Sequence, residues 1–444
     1  MADEENEMTL LPPDHPNRLN LADEVHVRPP EAVETPSRAT YVAVLFDHDQ
    51  RPRERVHLAQ LCERFGVTPP GSDAIHFTAE IGDVRLKWER HGEFSGYTFT
   101  ASGRSPVPFS EPPVALLPPE WLAEMPGSTI FAAHAILIPA DAEPPSGEFL
   151  ASHFGGNVVV GAEIGGGSGL AFTDFRIHSD GFARFLLIDR SFTARQAGRM
   201  LQRLFEIETY RMMSLLALPV AREQTQRLVA AERSLTVLTE DIARRGADDE
   251  SLLQQLTYLA AELESRLAAS QFRFGACRAY HDLVIARIAE LREIRLPGIQ
   301  TIEEFMVRRF TPAAATCAST SQRLHQLSER VAQASALLST RVDIAHEKQN
   351  QTLLESMNQR AKLQLLLQQT VEGLSVAAIV YYVAGLVSYL AKALKAAGLH
   401  IDTDIAIGIA IPIVGGLVFW TVRRAHHKIF TGLDRAAASP PSGD

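Results

Sequence analysis

GLSVAAIVYYVAGLVSYLAKALKAAGLHIDTDIAIGIAIPIVGGLVFWTVRRAHHK, residues 373–428, decides how the rest of the chain is read. No charge interrupts about 19 residues from Gly373 to Ala391, nor about 18 from Ile405 to Val422. A helix needs roughly 20 apolar residues to cross a bilayer, so the two runs predict transmembrane spans over 373–391 and 405–422. Polar residues frame both runs, and Tyr389 and Trp420 stand near the expected interfaces. A buried hairpin in a globular protein is the competing reading. The polar framing and the nearly uninterrupted apolar interiors weigh against it.

Charge orients the hairpin. Arg360 and Lys362 precede the first run, and Arg423, Arg424, His426, His427 and Lys428 follow the second. The connecting loop carries Lys392 and Lys395 with Asp402 and Asp404. The positive-inside rule then puts both termini in the cytoplasm and the hairpin tip outside, with the loop lysines snorkelling at the interface. Ala384 and Ser388, with Gly408, Gly415 and Gly416, are small enough to allow close helix approach, and Pro412 is expected to kink the second span.

Upstream of the hairpin, the 444-residue chain has room for one or two soluble domains. The net charge of -10 is uneven, with nine acidic and two basic side chains in residues 1–35. The remainder is nearly balanced, which gives no electrostatic support to nucleic-acid binding. Cys62, Cys277 and Cys317 are far apart, odd in number and without metal spacing, so they read as free thiols of a reducing compartment. MADEENEMTLLPPDHP has neither a basic nor an apolar signal-peptide region.

Residues 1–36 read as an acidic, partly disordered segment, with a short helix around Leu19, Leu21 and Val25 stopped by Pro29 and Pro30. Residues 37–190 read as an α+β domain. YVAVLF (41–46) is a strand, 51–66 a helix ended by Gly66, and 74–103 a three-strand meander turning at Gly82-Asp83 and His91-Gly92-Glu93. A proline-rich loop (106–119) and four more strands follow, HAILIPA, NVVVGAEIG, LAFTDFRIH and FARFLLIDR. Residues 191–372 read as a helical bundle and stalk. One helix is expected to stop at Pro219, a second at Gly246 and a third at Pro297-Gly298. Thr301 and Glu304 form a capping-box pair, and Thr311-Pro312 opens a helix of about 80 residues that has no breaker before Gly373. Leu324, Leu327, Val331, Ala334 and Leu338 repeat at three and four, which fits a coiled-coil seam or an antiparallel bundle with the preceding helices. Residues 373–428 are the hairpin and 429–444 a disordered tail.

No constellation reads as an active site, and no catalytic, cofactor-binding or metal-binding residue is assigned. FGGNVVVGAEIGGGSG (154–169) lacks the Lys-Ser/Thr ending of a phosphate loop and runs into a strand, so it reads as a hairpin turn. Glu24, His26 and Arg28, with His15, are polar neighbours without a second ligand set, and pinning a segment onto the domain is the simpler use. His400, Asp402 and Asp404 could attract a cation, but Thr403 or Asp404 capping the second span is simpler. Without a nucleophile–base pair or a CxxC, the chain is not read as an enzyme.

LPPDHPNRLNLADEVHVRPPE (11–31), EIETYRMMSLLALP (206–219) and LLLQQTVEGLSVAAIVYYVAGLVSYLAKAL (365–394) resemble a family of bacterial membrane-anchored proteins of unknown function. The resemblance covers nearly the whole chain. It implies an inner-membrane protein with a cytoplasmic domain, and brings no activity. The layout is similar, more distantly, to CorA-type divalent-metal channels, whose first span ends in Gly-Met-Asn. Here that place reads YLAKALKAAG (389–398), and its two lysines would repel a divalent ion. The expectation is a self-associating cytoplasmic platform tethered to the bilayer, without cofactor and with an unknown soluble partner. A CorA-like oligomeric channel is the alternative, and a membrane-tethered enzyme of unknown reaction the second alternative.

Overall fold

A computed structural model describes residues 14–24, 30–47, 49–141, 145–244, 248–397 and 403–437. They divide into two compact units, residues 1–337 and 338–444.

The first unit opens with a short helix α1 (Arg18–Glu24) and then strand β1 (Ser37–Leu45). Helix α2 (Arg51–Arg64) leads to the meander β2 (His76–Ile81), β3 (Val84–Arg90) and β4 (Phe94–Ser102). A short helix α3 (Pro119–Ala123) precedes β5 (Ser128–Pro139). Then come α4 (Gly147–Phe154), β6 (Val160–Ile164), β7 (Gly169–Thr173) and β8 (Ala183–Asp189). The strand–helix–three-strand order thus occurs twice. The two halves join through β1 and β5 in one nine-stranded sheet, β2-β3-β4-β1-β5-β8-β7-β6-β9, whose last strand is the later two-residue β9 (Ile294–Arg295). They differ in one respect: β1 runs antiparallel to β4, whereas β5 runs parallel to β8.

After β8 come α5 (Ala194–Leu215), α6 (Ala217–Ala243) and α7 (Asp249–Leu291), then β9 and α8 (Ile302–Arg309). Helices α5, α7 and α8 cover one face of the sheet, and α6 packs on α7. Leu204, Phe205 and Met213 of α5, Val284 and Ile288 of α7 and Met306 of α8 bury against Tyr41, Ala43, Ala133, Phe185 and Leu187. On the other face α2 and α3 place Leu58, Leu61 and Trp121 against Val42, Val44 and Trp88, and α4 places Leu150 and Phe154 against Leu186 and Ile188. The central strands are therefore apolar on both sides, which is why YVAVL reads as a continuous run and not as an alternation.

Several boundaries differ from the sequence reading, each for a physical reason. The helix expected to stop at Pro219 breaks earlier, at Leu216, whose φ of -57° and ψ of -22° keep the turn helical. Pro219 sits in the first turn of α6, where its missing N–H costs no intrahelical bond. The third helix ends at Leu291, before Pro297-Gly298. Arg292 adopts a left-handed φ of 50°, and the chain then pairs with Ala162 and Glu163 of β6 as β9. Helices α3 and α4 were not expected. Both are short and proline- or glycine-flanked, which hides their periodicity. Residues 30–36, assigned to a partly disordered segment, are packed, and Val33 is buried. The glycine cluster forms the β6–β7 hairpin, with positive φ at Gly165, Gly166 and Gly167.

Helix α9 (Thr311–Ala396) is a single 86-residue helix. Its Leu324, Leu327, Val331 and Ala334 are already buried within one chain. Thr320 meets Thr225 of α6 at 3.3 Å, Arg323 pairs with Glu232 of α6 at 3.0 Å, and Ser328 donates to Glu264 of α7 at 3.4 Å. This part of the stripe is the seam of an intramolecular bundle.

The second unit holds the rest of α9 and α10 (Thr403–Ala437). Among the described residues, one helix is long and apolar enough to cross a membrane by length and composition, the one that includes α9. In α10 the apolar stretch is shorter, Ile407–Thr421. A Cβ built on Gly385, Gly408, Gly415 or Gly416 would meet nothing within 4 Å. Among the described residues, the close helix approach expected at Gly408, Gly415 and Gly416 is therefore not made. Helix α10 runs through Pro412, which lies inside it.

Candidate functional site

The first unit contains a polar layer where an apolar one would be the default. β3 alternates Leu86 and Trp88 with Lys87 and Glu89, a pattern that reads as one face in the core and one in water. α5 covers the second face instead. The Lys87 and Glu89 side chains are left only 8% and 10% exposed, paired at 3.0 Å. Lys87 also donates to Gln202 of α5 at 3.3 Å, and Gln202 donates to Glu206 at 2.7 Å. Arg287 of α7 bonds Glu206 and reaches Glu290 at 2.8 Å. Arg203 of α5 closes the chain on Glu290 at 2.7 Å. Three cations thus face three carboxylates, a charge-balanced set that ties β3, α5 and α7 together. At its buried end, Lys87 and Glu89, removing one partner costs more than the net worth of the pair, because an uncompensated charge is left behind.

Beside this layer Tyr41 stacks on Phe205 with ring centroids 4.8 Å apart, and its hydroxyl lies 3.5 Å from Thr209 Oγ1. Burial pushes the Tyr41 and Tyr210 phenols well above their usual range, so both stay protonated. The cavity between these groups has a volume of about 50 Å³. That is room for a few waters and far below the several hundred Å³ of a small-molecule site.

A strap formed by residues 30–33 closes the cavity. Glu31 accepts from Thr78 at 3.1 Å and pairs with Arg85 at 2.7 Å, and the Val33 N–H donates to the Ala194 carbonyl at 2.9 Å. Gly198 of α5 makes the close approach possible. A Cβ there would stand 1.7 Å from the Glu31 carbonyl oxygen. On the opposite face Glu54 of α2 is fully buried. It accepts from Trp88 Nε1 at 2.8 Å and from the Tyr97 hydroxyl at 3.0 Å, and Arg51 stands 3.3 Å away. Both polar clusters join separate elements of the fold.

Of the polar neighbours singled out by sequence, only some lie among the described residues. His15 is exposed and accepts from the Asn17 N–H at 3.2 Å. Glu24 ends α1, and His26 and Arg28 lie outside the described residues. His400 and Asp402 also lie outside them, whereas Asp404 stands in the first turn of α10, where a negative charge suits the helix dipole. No group of three or more His, Cys, Asp or Glu residues among those described could hold a metal ion. Sequence reasoning missed Lys87, Glu89, Glu206 and Arg287. The available signal was the second appearance of charged residues opposite an amphipathic helix, which alone does not distinguish a covered face from a wet one.

The fold defines a mixed α+β protein, a helix-covered nine-stranded sheet followed by very long helices. The chain belongs to the family described as "Protein of unknown function (DUF3422)", which matches residues 13–429. No curated protein and no solved structure matches it.

Proposed function

We propose that the protein is a membrane-tethered, non-enzymatic platform, with the sheet domain in the cytoplasm and α9 and α10 forming a two-span anchor in a bacterial inner membrane. One observation carries the reading. From Leu374 onward the large apolar side chains of both helices lie open. Leu374, Tyr381, Leu386, Leu390, Ile405, Ile413 and Leu417 are all at least 60% exposed. Soluble proteins rarely leave a contiguous apolar surface of this extent in water, and lipid covers it without any further protein partner. The closed, charge-balanced polar layer supports a scaffold over a catalyst.

Self-association is assigned to the part of α9 just before the anchor. The seam at Leu324–Ala334 is occupied within the chain, whereas Leu363, Leu367, Val371 and Leu374 are exposed at helical spacing. Fractionation tests the anchor. The full chain is expected in alkali-washed membranes, and a chain ending at Glu372 in the supernatant. A full chain released by alkali sinks the anchor. Crosslinking in membranes tests association, with Leu367→Glu expected to abolish the oligomer band. An unchanged band removes this stretch as the contact. Rescue of a magnesium-transport-deficient strain would replace the platform by the CorA-like channel.

A further inference from the structure

All three cysteines are buried free thiols, and two of them meet. Cys277 lies in α7 and Cys317 in the first turns of α9, both within the first unit. They share a small apolar cluster with Ala217, Ala221 and Phe274. The Ser214 hydroxyl of α5 donates to the Cys277 carbonyl at 3.0 Å and lies 3.3 Å from Cys277 Sγ. The two thiols are neighbours in this cluster, and the influence of Cys317 holds Cys277 below the ordinary thiol range, with Ser214, His281 and Arg273 adding to it against burial. Cys277, with burial, pushes Cys317 up. Cys277 is thus the more acidic of the two thiols.

Access is equally asymmetric. A groove of about 310 Å³ between α7 and α9 is lined by Cys277, Arg278, His281 and His325, and Cys317 is not part of its lining. Cys277 is only 3% exposed, and the groove is the side from which a reagent would approach it. No third ligand group joins the pair among the described residues, which argues for thiol redox chemistry over metal binding. Cys62 provides the contrast. It lies on the buried face of α2 without a second cysteine beside it, and burial raises its thiol.

We propose that Cys277 and Cys317 form a hydroperoxide-reactive dithiol site, in which Cys277 attacks and Cys317 resolves. The Cys277 thiolate attacks one peroxide oxygen. The S–O bond forms, the O–O bond breaks, and the second oxygen leaves as hydroxide and takes a proton to become water. The Cys317 sulfur then attacks the sulfenic sulfur. The S–S bond forms, the S–O bond breaks, and the departing hydroxide leaves as water with the proton from Cys317. Two electrons pass from the two thiols to the peroxide, and the product ties α7 to α9.

Treatment of the detergent-purified full chain with hydrogen peroxide, followed by non-reducing peptide mapping, tests the site. The expected product is a Cys277–Cys317 linked peptide pair about 2 Da lighter than the two thiols, with Cys62 oxidised at least about tenfold more slowly. In Cys317→Ser, dimedone is expected to trap a sulfenic acid at Cys277, and in Cys277→Ser it is expected to trap none at Cys317. Failure of the linked pair to form in the wild-type chain, which needs no variant to fold, overturns the proposal. Equal oxidation of Cys62, or equal trapping at Cys317 in Cys277→Ser, overturns it as well.

Discussion

His134 shows how one side chain sets an acid limit on the fold. It lies in β5, 4% exposed, with Phe182 stacked on it at 3.9 Å and Thr40 Oγ1 3.0 Å from Nδ1. Burial lowers its pKa to about 4, and the nearby Arg184 adds to this against Asp180. The folded state therefore binds this proton less readily than the unfolded chain, whose histidine titrates near 6.5. Stability from this group is fully present above pH ~6.5 and is lost as pH falls towards ~4, by about 3 kcal/mol at most. His57 and His153 are lowered by burial as well and add to the same slope. Thermal unfolding measured from pH 7.5 to 4.5 should give a steep fall in Tm for the wild type and a shallower one for His134→Asn, which keeps a polar atom for Thr40. Parallel slopes for the two proteins would remove His134 as a source.

At the level of elements, the strap and α5 depend on one hydrogen atom. Gly198→Ala places a methyl group inside the Glu31 carbonyl, and the strap is the part able to move. Overpacking of this kind typically costs about 1–3 kcal/mol, and here it also uncovers the Lys87–Glu206 layer. Hydrogen exchange should report the displacement as faster exchange of the Val33 amide and the α5 N-terminus, with the β6–β7 hairpin unchanged. Unaltered protection at Val33 would mean the strap is not seated as described. The sequence reading fared unevenly for similar reasons. The meander, the capping box at Thr301 and Glu304 and the unbroken α9 were legible because each has a local signature. Strand β9, the strap and the polar layer were not, because each exists only through residues distant in the chain. Arg292, in a left-handed conformation that arginine rarely adopts, gives no sequence sign that α7 ends there. The stripe at Leu324–Ala334 was legible as a seam but not as to its partner, since periodicity is the same for a neighbour within the chain and one outside it.

For the whole molecule, the orientation of the proposed anchor yields a direct prediction. In a chain whose native cysteines are replaced by serine, Ala397→Cys should react with a membrane-impermeant thiol reagent in intact cells, and Ala437→Cys should react only after lysis. The reverse pattern would invert the anchor. The sheet has a further consequence, for the rate at which the first unit forms. β1 pairs with β4 roughly 50–65 residues away and with β5 roughly 85–100 away, and β6 pairs with β9 across about 130. The β2–β3–β4 meander and the β6–β7–β8 run are local, but the pairings of β1 with β4 and β5, of β5 with β8 and of β6 with β9 are not, and for these chain closure must precede the reward. Such a unit belongs with the slow folders, in the millisecond-to-second range. Until Ile294 and Arg295 arrive, β6 remains an open edge that another chain could pair with. The two-residue strand at the end of the sheet is then a late-arriving guard against aggregation, and its small size understates what its absence would expose.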